Sequence, residues 1–265
     1  ELGKWRLPIT IIISIFSFFV IILPFITVAI TSFTVNMGKP LTLSNLSLKA
    51  WEKVFSRASI ISSTTNSFLT ATAAAFFGIL ISCVMAYLLQ RTNVKGKRIP
   101  DFLITLGSGT PSVTIALALI ISMSGKFGIN IYNTLTIMVI AYMIKYMLMG
   151  MRTVVSAMSQ VHPSLEEAAQ ISGANWLRML KDVTLPLIGA SIVAGIFLIF
   201  MPSFYELTMS TLLYSSNTKT IGYELYIYQT YHSQQVASAL ATAILLFVIL
   251  VNYILNKLTK GQFSI

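Results

Sequence analysis

The sequence predicts an all-α membrane protein with six transmembrane helices, and three observations carry that expectation. The 265 residues are 55% hydrophobic and only 10% charged, with a mean hydropathy of +0.80, whereas soluble domains carry roughly 25% charged residues. Six apolar runs reach the roughly 20 residues that a helix needs to cross a bilayer. Basic residues crowd into alternate loops, as the positive-inside rule requires of a chain that crosses repeatedly.

The runs fall at about 7–33, 66–90, 102–124, 131–151, 187–210 and 235–256, within a single transmembrane domain over 1–265. Lys4 and Arg6 precede the first run, but it is too long for the apolar core of a signal peptide and five more follow, so it reads as a span. The chain opens on Glu1 rather than Met, which reads as a processed end or as part of a longer polypeptide. The fourth run carries Lys145, placed to snorkel to the inner interface. The fifth carries Glu206, an acid inside a span and so a candidate for function. Pro24, Pro111 and Pro202 lie within or near span ends, where prolines mark bends. Cys83, the only cysteine, excludes an intrachain disulfide and reads as a small buried residue.

A net charge of +10 raises the question of nucleic acid, but topology explains it better. With both termini in the cytoplasm, the inner side collects Lys4, Arg6, Arg91, Lys95, Lys97, Arg98, Arg152, Arg178, Lys181, Lys257 and Lys260. The outer side holds Lys39, Lys49, Lys53, Arg57, Lys126 and Lys219. The short loop "RTNVKGKR" at 91–98 decides the orientation, because charges in short loops count most. Lipid is therefore the expected surrounding, with no nucleic-acid partner. In the first outer loop Ser47 is placed to cap a short interfacial helix through Leu48, Trp51 and Phe55.

Several chemistries are not indicated. No G-x-x-x-x-G-K-S/T phosphate loop occurs, so ATP hydrolysis by that device belongs to another chain. The two histidines, His162 and His232, fall on opposite sides of the expected topology, which excludes a shared metal site. The 12 methionines are scattered as packing residues. No hydrolase spacing of Ser, His and acid is present. No catalytic residue, metal site or cofactor is expected. A membrane-embedded enzyme would need such a constellation, and a secondary transporter would show charged or broken helices near the midplane.

One stretch of mixed polarity interrupts the apolar chain: "EEAAQISGANWLRMLKDVTLP", residues 166–186. Pro163 closes the preceding segment and Ser164 is placed to cap a new helix, with Ser164 and Glu167 forming a capping box. Glu166 and Glu167 occupy the first turn, where the helix dipole favours acids. Leu165, Ala168, Ala169 and Ser172 make one narrow face of small side chains. Gly173 suits a left-handed stop. Asn175 then caps a second helix, with Trp176, Leu180 and Val183 on one face and an Arg178–Asp182 pair on the other. Pro186 lies near the first turn of the fifth span.

This arrangement resembles the EAA signature of binding-protein-dependent ABC importer permeases: E-A-A, three residues, G, nine residues, I-x-L-P. Glu167, Ala168, Ala169, Gly173, Leu185 and Pro186 stand at its fixed positions, and Val183 stands where isoleucine is frequent. The resemblance implies a type I, MetI-like permease fold in a bacterial inner membrane. It also implies a coupling hairpin in which Ser164, Leu165 and Glu166 join those residues in docking to an ATPase. The implied partners are a cytoplasmic ATPase dimer, an outer solute-binding protein and a second permease half, whether identical, homologous or fused. "TNSFLTATAAAFFG" (65–78) is similar to the start of the family's core. "MSTLLYSSNTKTIGYELY" (209–226) is similar to the branch serving ferric iron, aminoethylphosphonate and thiamine. "LGKWRLPI" is similar to the junction between halves of fused permeases. Ferric iron is the solute this implies, with Glu206 as a hard oxygen donor on the translocation pathway. Aminoethylphosphonate, thiamine or a polyamine stand as alternatives, with Lys219 available to an anion.

Overall fold

Apolar runs in lipid must satisfy their backbone groups internally, and helices do so. The computed structural model describes residues 3–126 and 128–258, so Glu1 and Lys260 lie outside the described residues. Among the described residues, five helices are long and apolar enough to cross a membrane: α1 (Arg6–Thr31), α3 (Ala58–Arg91), α6 (Leu135–Gln160), α8 (Trp176–Phe204) and α11 (Gln234–Leu258). Shorter helices lie between them: α2 (Lys49–Ser56), α4 (Arg98–Gly109), α5 (Ser112–Met123), α7 (Pro163–Ile171), α9 (Thr208–Leu213) and α10 (Ile221–Tyr231).

The expected third span is the pair α4 and α5, bent by 110°. Taken as one broken span it completes the six. Pro111 stands at the break as the N-cap of α5, and Thr110 before it is extended, the conformation that a following proline imposes. The break exposes carbonyls with no partner inside α4. Lys145 supplies one, its Nζ donating to Ser108 O at 3.0 Å and Thr110 O at 2.8 Å. The expected snorkelling is therefore replaced by a cap on a broken helix.

Two compact units divide the chain, residues Glu1–Ile61 with Glu224–Ile249 and residues Ser62–Tyr223 with Leu250–Ile265. In the first, none of the apolar window of α1 is buried. The loop after it is closed by the buried Asn45, which accepts from Asn36 N and donates to Asn36 O, both at 2.9 Å. Leu48, rather than Ser47, is the N-cap residue of α2. Ser47 sits one residue further out, where its Oγ accepts from Lys49 N at 3.2 Å. Trp51 on α2 donates to Ser32 Oγ at 3.1 Å and stacks on Phe33.

In the second unit, α6 packs along α8 at a point where both helices carry glycine. A Cβ on Gly150 would meet Ile199 Cδ1 at 2.7 Å and Gly195 O at 3.1 Å. Small residues let membrane helices approach this closely. Ala74, Ala116, Ile137, Met138, Ala141 and Met209 belong to one buried cluster, and Ile79, Ala86, Val154, Met158 and Ile188 form another.

Candidate functional site

The hairpin begins with Pro163. Its ring forces His162 into an extended conformation, and His162, not Ser164, becomes the N-cap, with Nδ1 accepting from Ser164 N at 3.2 Å. The capping box expected between Ser164 and Glu167 therefore does not form, and both residues are exposed. The end of α7 follows expectation. Gly173 has φ +87, Gly173 N donates to Gln170 O at 2.9 Å and Ala174 N to Ala169 O at 3.0 Å. That is the paired bonding of a helix stop that needs a residue at positive φ.

Asn175 caps the next helix as expected, its side chain accepting from Arg178 N at 2.8 Å. The Arg178–Asp182 pair also forms, at 3.4 Å on an exposed face. The expected apolar face differs in detail. Met179 and Thr184 are the buried residues of this segment, while Trp176 is half exposed and donates to Tyr87 Oη at 2.8 Å. Residues Leu180–Thr184 form a π turn, so the second helix of the hairpin and the fifth span are one continuous helix, Trp176–Phe204. The wider turn gives room ahead of Pro186, whose ring would otherwise press on the carbonyl four residues back.

Glu166 is the only buried residue of α7, at 6% exposure. Its Oε1 accepts from Arg91 Nε at 3.0 Å and from Thr184 Oγ1 at 3.0 Å. Arg91 Nη2 also donates to Val161 O at 2.7 Å and Met158 O at 3.3 Å. A buried charge needs such pairing and hydrogen bonding to be tolerated. One cluster thus joins the ends of α3 and α6, the first turn of α7 and the π turn of α8. The motif residues Glu167 and Ala168 lie on the outside, Ala169 is half-buried, and Leu185 and Pro186 are exposed. Ile171 is 88% exposed and Leu177 68%, so the hairpin presents an apolar tip.

Glu206 lies elsewhere, just beyond the last turn of α8, and is buried. Its Oε1 accepts from Met209 N at 2.9 Å, and its Oε2 accepts from the Tyr146 hydroxyl. Ser210 Oγ donates to Glu206 O at 2.6 Å, which leaves Tyr142 to donate to Ser210 across 2.7 Å. A Cβ on Gly222 would overlap the Glu206 carbonyl, so only glycine fits there. Among the described residues, no three His, Cys, Asp or Glu side chains gather as a metal site.

Residues 78–261 match the family described as binding-protein-dependent transport system inner membrane component. The chain belongs to that family. Its relatives include a putative ferric transport system permease protein of Haemophilus influenzae, 27% identical over 74% of this chain and 30% of the relative. A trehalose/maltose transport system permease of Thermococcus litoralis is 26% identical over 90% of each chain, and a sulfate transport system permease of Salmonella typhimurium is 25% identical over 82% of each. The chain spans about a third of the length of two Haemophilus influenzae ferric permeases that it matches, 30% and 39%. The fold is that of a solved bacterial ABC transporter involved in the import of the acidic polysaccharide alginate. The TM-score is 0.77 at 15% identity, over 99% of this chain and 98% of that one. The family is one of transport components rather than enzymes, embedded in the inner membrane.

For an inner membrane component the hairpin motif was legible in advance, but its anchor was not. Arg91 read as a topology charge and Thr184 occupied a variable place in the motif. Tyr146 carried no signal at all.

Proposed function

We propose that this chain is one transmembrane half of a type I ATP-binding-cassette importer, working with a second half, two ATPase subunits on the inner face and a solute-binding protein on the outer face. The observation that carries this reading is the hairpin: an exposed apolar tip of Ile171 and Leu177 on a base held by Glu166. An apolar tip beside small alanines is suited to seating in another protein. A helix that merely lies on lipid would instead want bulky apolar residues along its length and basic flanks. An open recess of about 960 Å³ beside the hairpin, lined by residues such as Arg152, Gln160, His162 and Ser191, is assigned in this reading to the inner mouth of the pathway.

The test is association and coupling. Glu167→Lys and Gly173→Val should leave the spans inserted while ATPase co-purification or binding-protein-stimulated hydrolysis falls. Normal values in both variants would overturn the reading.

The same proposal places both termini and the 91–98 loop in the cytoplasm, in one domain over the whole chain. Support comes from Arg91, which begins that loop and touches the hairpin. In a Cys83→Ser background, Asn93→Cys should react only with membrane-permeant reagents and Ser216→Cys with impermeant ones. Reversed labelling would invert the topology.

Ferric iron is the solute we assign, supported by the ferric relatives and by the Glu206 carboxylate as a hard donor. A small anion is the second reading, and a specific observation favours it. Lys145 sits within a span at the α4–α5 break, and among the described residues no acid pairs with it. Radiolabelled iron and phosphonate uptake, with Glu206→Gln and Lys145→Met variants, separates the two. Iron uptake should fall with Glu206→Gln, and anion uptake with Lys145→Met.

A further inference from the structure

We propose that Arg91, Glu166 and Thr184 form a positioning device that locks the hairpin helix α7 to three spans, so that a push on α7 moves the ends of α3, α6 and α8 together. This rests on the importer reading, and it concerns residues the motif does not assign to that task. Three features support it. First, α7 has no buried apolar residue, and its only buried side chain is Glu166. Its seat on the spans is therefore made by directional polar bonds rather than by an oily face. Second, the guanidinium fork serves two elements at once, through Nε on Glu166 Oε1 and Nη2 on the carbonyls of Met158 in α6 and of Val161, the residue that caps its end. Lysine, a compact point charge, cannot hold that planar arrangement. Third, Thr184 is fully buried within the π turn, and its hydroxyl closes the link from Glu166 to α8 at 3.0 Å.

Apolar packing would let α7 slide, whereas a charge pair with fixed donors holds one register. Thr184 is the most informative position, because Thr184→Val keeps the shape and removes only the donor. Thr184→Ser keeps the donor and so serves as the rescue. Arg91→Lys keeps the charge and removes the fork.

The experiment uses the reconstituted complex of this chain with its second half, ATPase and binding protein, in a Cys83→Ser background. Nitroxide labels at Ser159→Cys and Gln170→Cys report the distance between the ends of α6 and α7, with and without ATP and vanadate. The unsubstituted complex should give one narrow distribution that nucleotide leaves unchanged. Thr184→Val and Arg91→Lys should broaden or shift it, and Thr184→Ser should restore it. Alongside, the ratio of binding-protein-stimulated to basal ATP hydrolysis should fall by about five- to thirty-fold in the two disruptive variants. General misfolding would lower both rates together instead. Distance distributions and ratios in Thr184→Val and Arg91→Lys that match the unsubstituted complex would overturn the inference. Maleimide labelling of Ile171→Cys keeps the importer reading separate. Protection of that site by the ATPase is required by the importer reading, and its absence would defeat that reading whatever the distances show.

Discussion

Glu166 and Glu206 are two carboxylates of nearly equal burial, 6% and 8% exposed, in opposite surroundings. Glu166 faces a guanidinium and a hydroxyl, and the guanidinium is itself held by two backbone carbonyls. Among the described residues, Glu206 receives only uncharged donors, the Tyr146 hydroxyl and the Met209 amide. The first is complete as a charge pair and needs nothing from outside. The second has no opposite charge among its hydrogen-bond partners, and it is the acid that the proposed iron pathway would use. Burial alone does not distinguish the two acids; the charge of the partner does.

The largest effect that could break this contrast is expected at the pair. Glu166→Ala strands a buried guanidinium and should cost about 3–5 kcal/mol in denaturant unfolding of the purified protein. Combining it with Arg91→Met should recover most of that stability, since an apolar replacement of both partners removes the stranded charge. A double variant as unstable as the single one would mean that the pair is not where the energy lies.

Tyr146→Phe comes next. It deletes one hydrogen bond to a carboxylate and strands no opposite charge, so the loss should be about 1.5–3 kcal/mol. A cost equal to that of Glu166→Ala would erase the difference between the two sites.

Gly173→Ala should cost about 1–2 kcal/mol, the penalty of a left-handed backbone for an L-residue. No atom lies within 4 Å of a Cβ built at Gly173, so the penalty is conformational and not a clash. Gly173→Val should exceed it because β-branching tolerates positive φ least. Equal stabilities for the two variants would locate the strain elsewhere.

Arg178→Ala marks the floor. Its pair with Asp182 is exposed, and such pairs contribute about 0.3–0.5 kcal/mol. The loss should vanish at high salt, where exposed charges are screened. The Arg91–Glu166 pair, being buried, should keep its contribution there.

Legibility followed the range of the interactions. Gly173, Asn175 and the Arg178–Asp182 pair behaved as expected because each depends on residues three to five positions away. Ser164 did not, and the reason is still local: Pro163 can open a helix and turns the residue before it into the cap, so the start moved to His162. Lys145 departs from expectation for a different reason. Its destination depends on the 110° break at Pro111, a feature 35 residues away in sequence at the Thr110 carbonyl. Of the candidate coupling residues, Glu166 carried the least signal beside Glu167, and it is the one that the fold buries.

Hydropathy, charge asymmetry and the spacing of the EAA stretch determined by themselves that the chain is an all-α membrane protein of this transport family with a helical hairpin before the fifth span. These are properties of short windows, set by the 3.6-residue period and by the cost of polar groups in lipid. Only the tertiary structure decided which of two adjacent glutamates is the anchor, because the ends of α3 and α6 must converge before Arg91 can reach Glu166, 75 residues away. The same holds for Glu206, whose donor Tyr146 arrives from another helix 60 residues away. Side chains that far apart meet only where the packing of separate helices puts them, and contacts such as that of Gly150 with Gly195 and Ile199 lie in no single window of sequence.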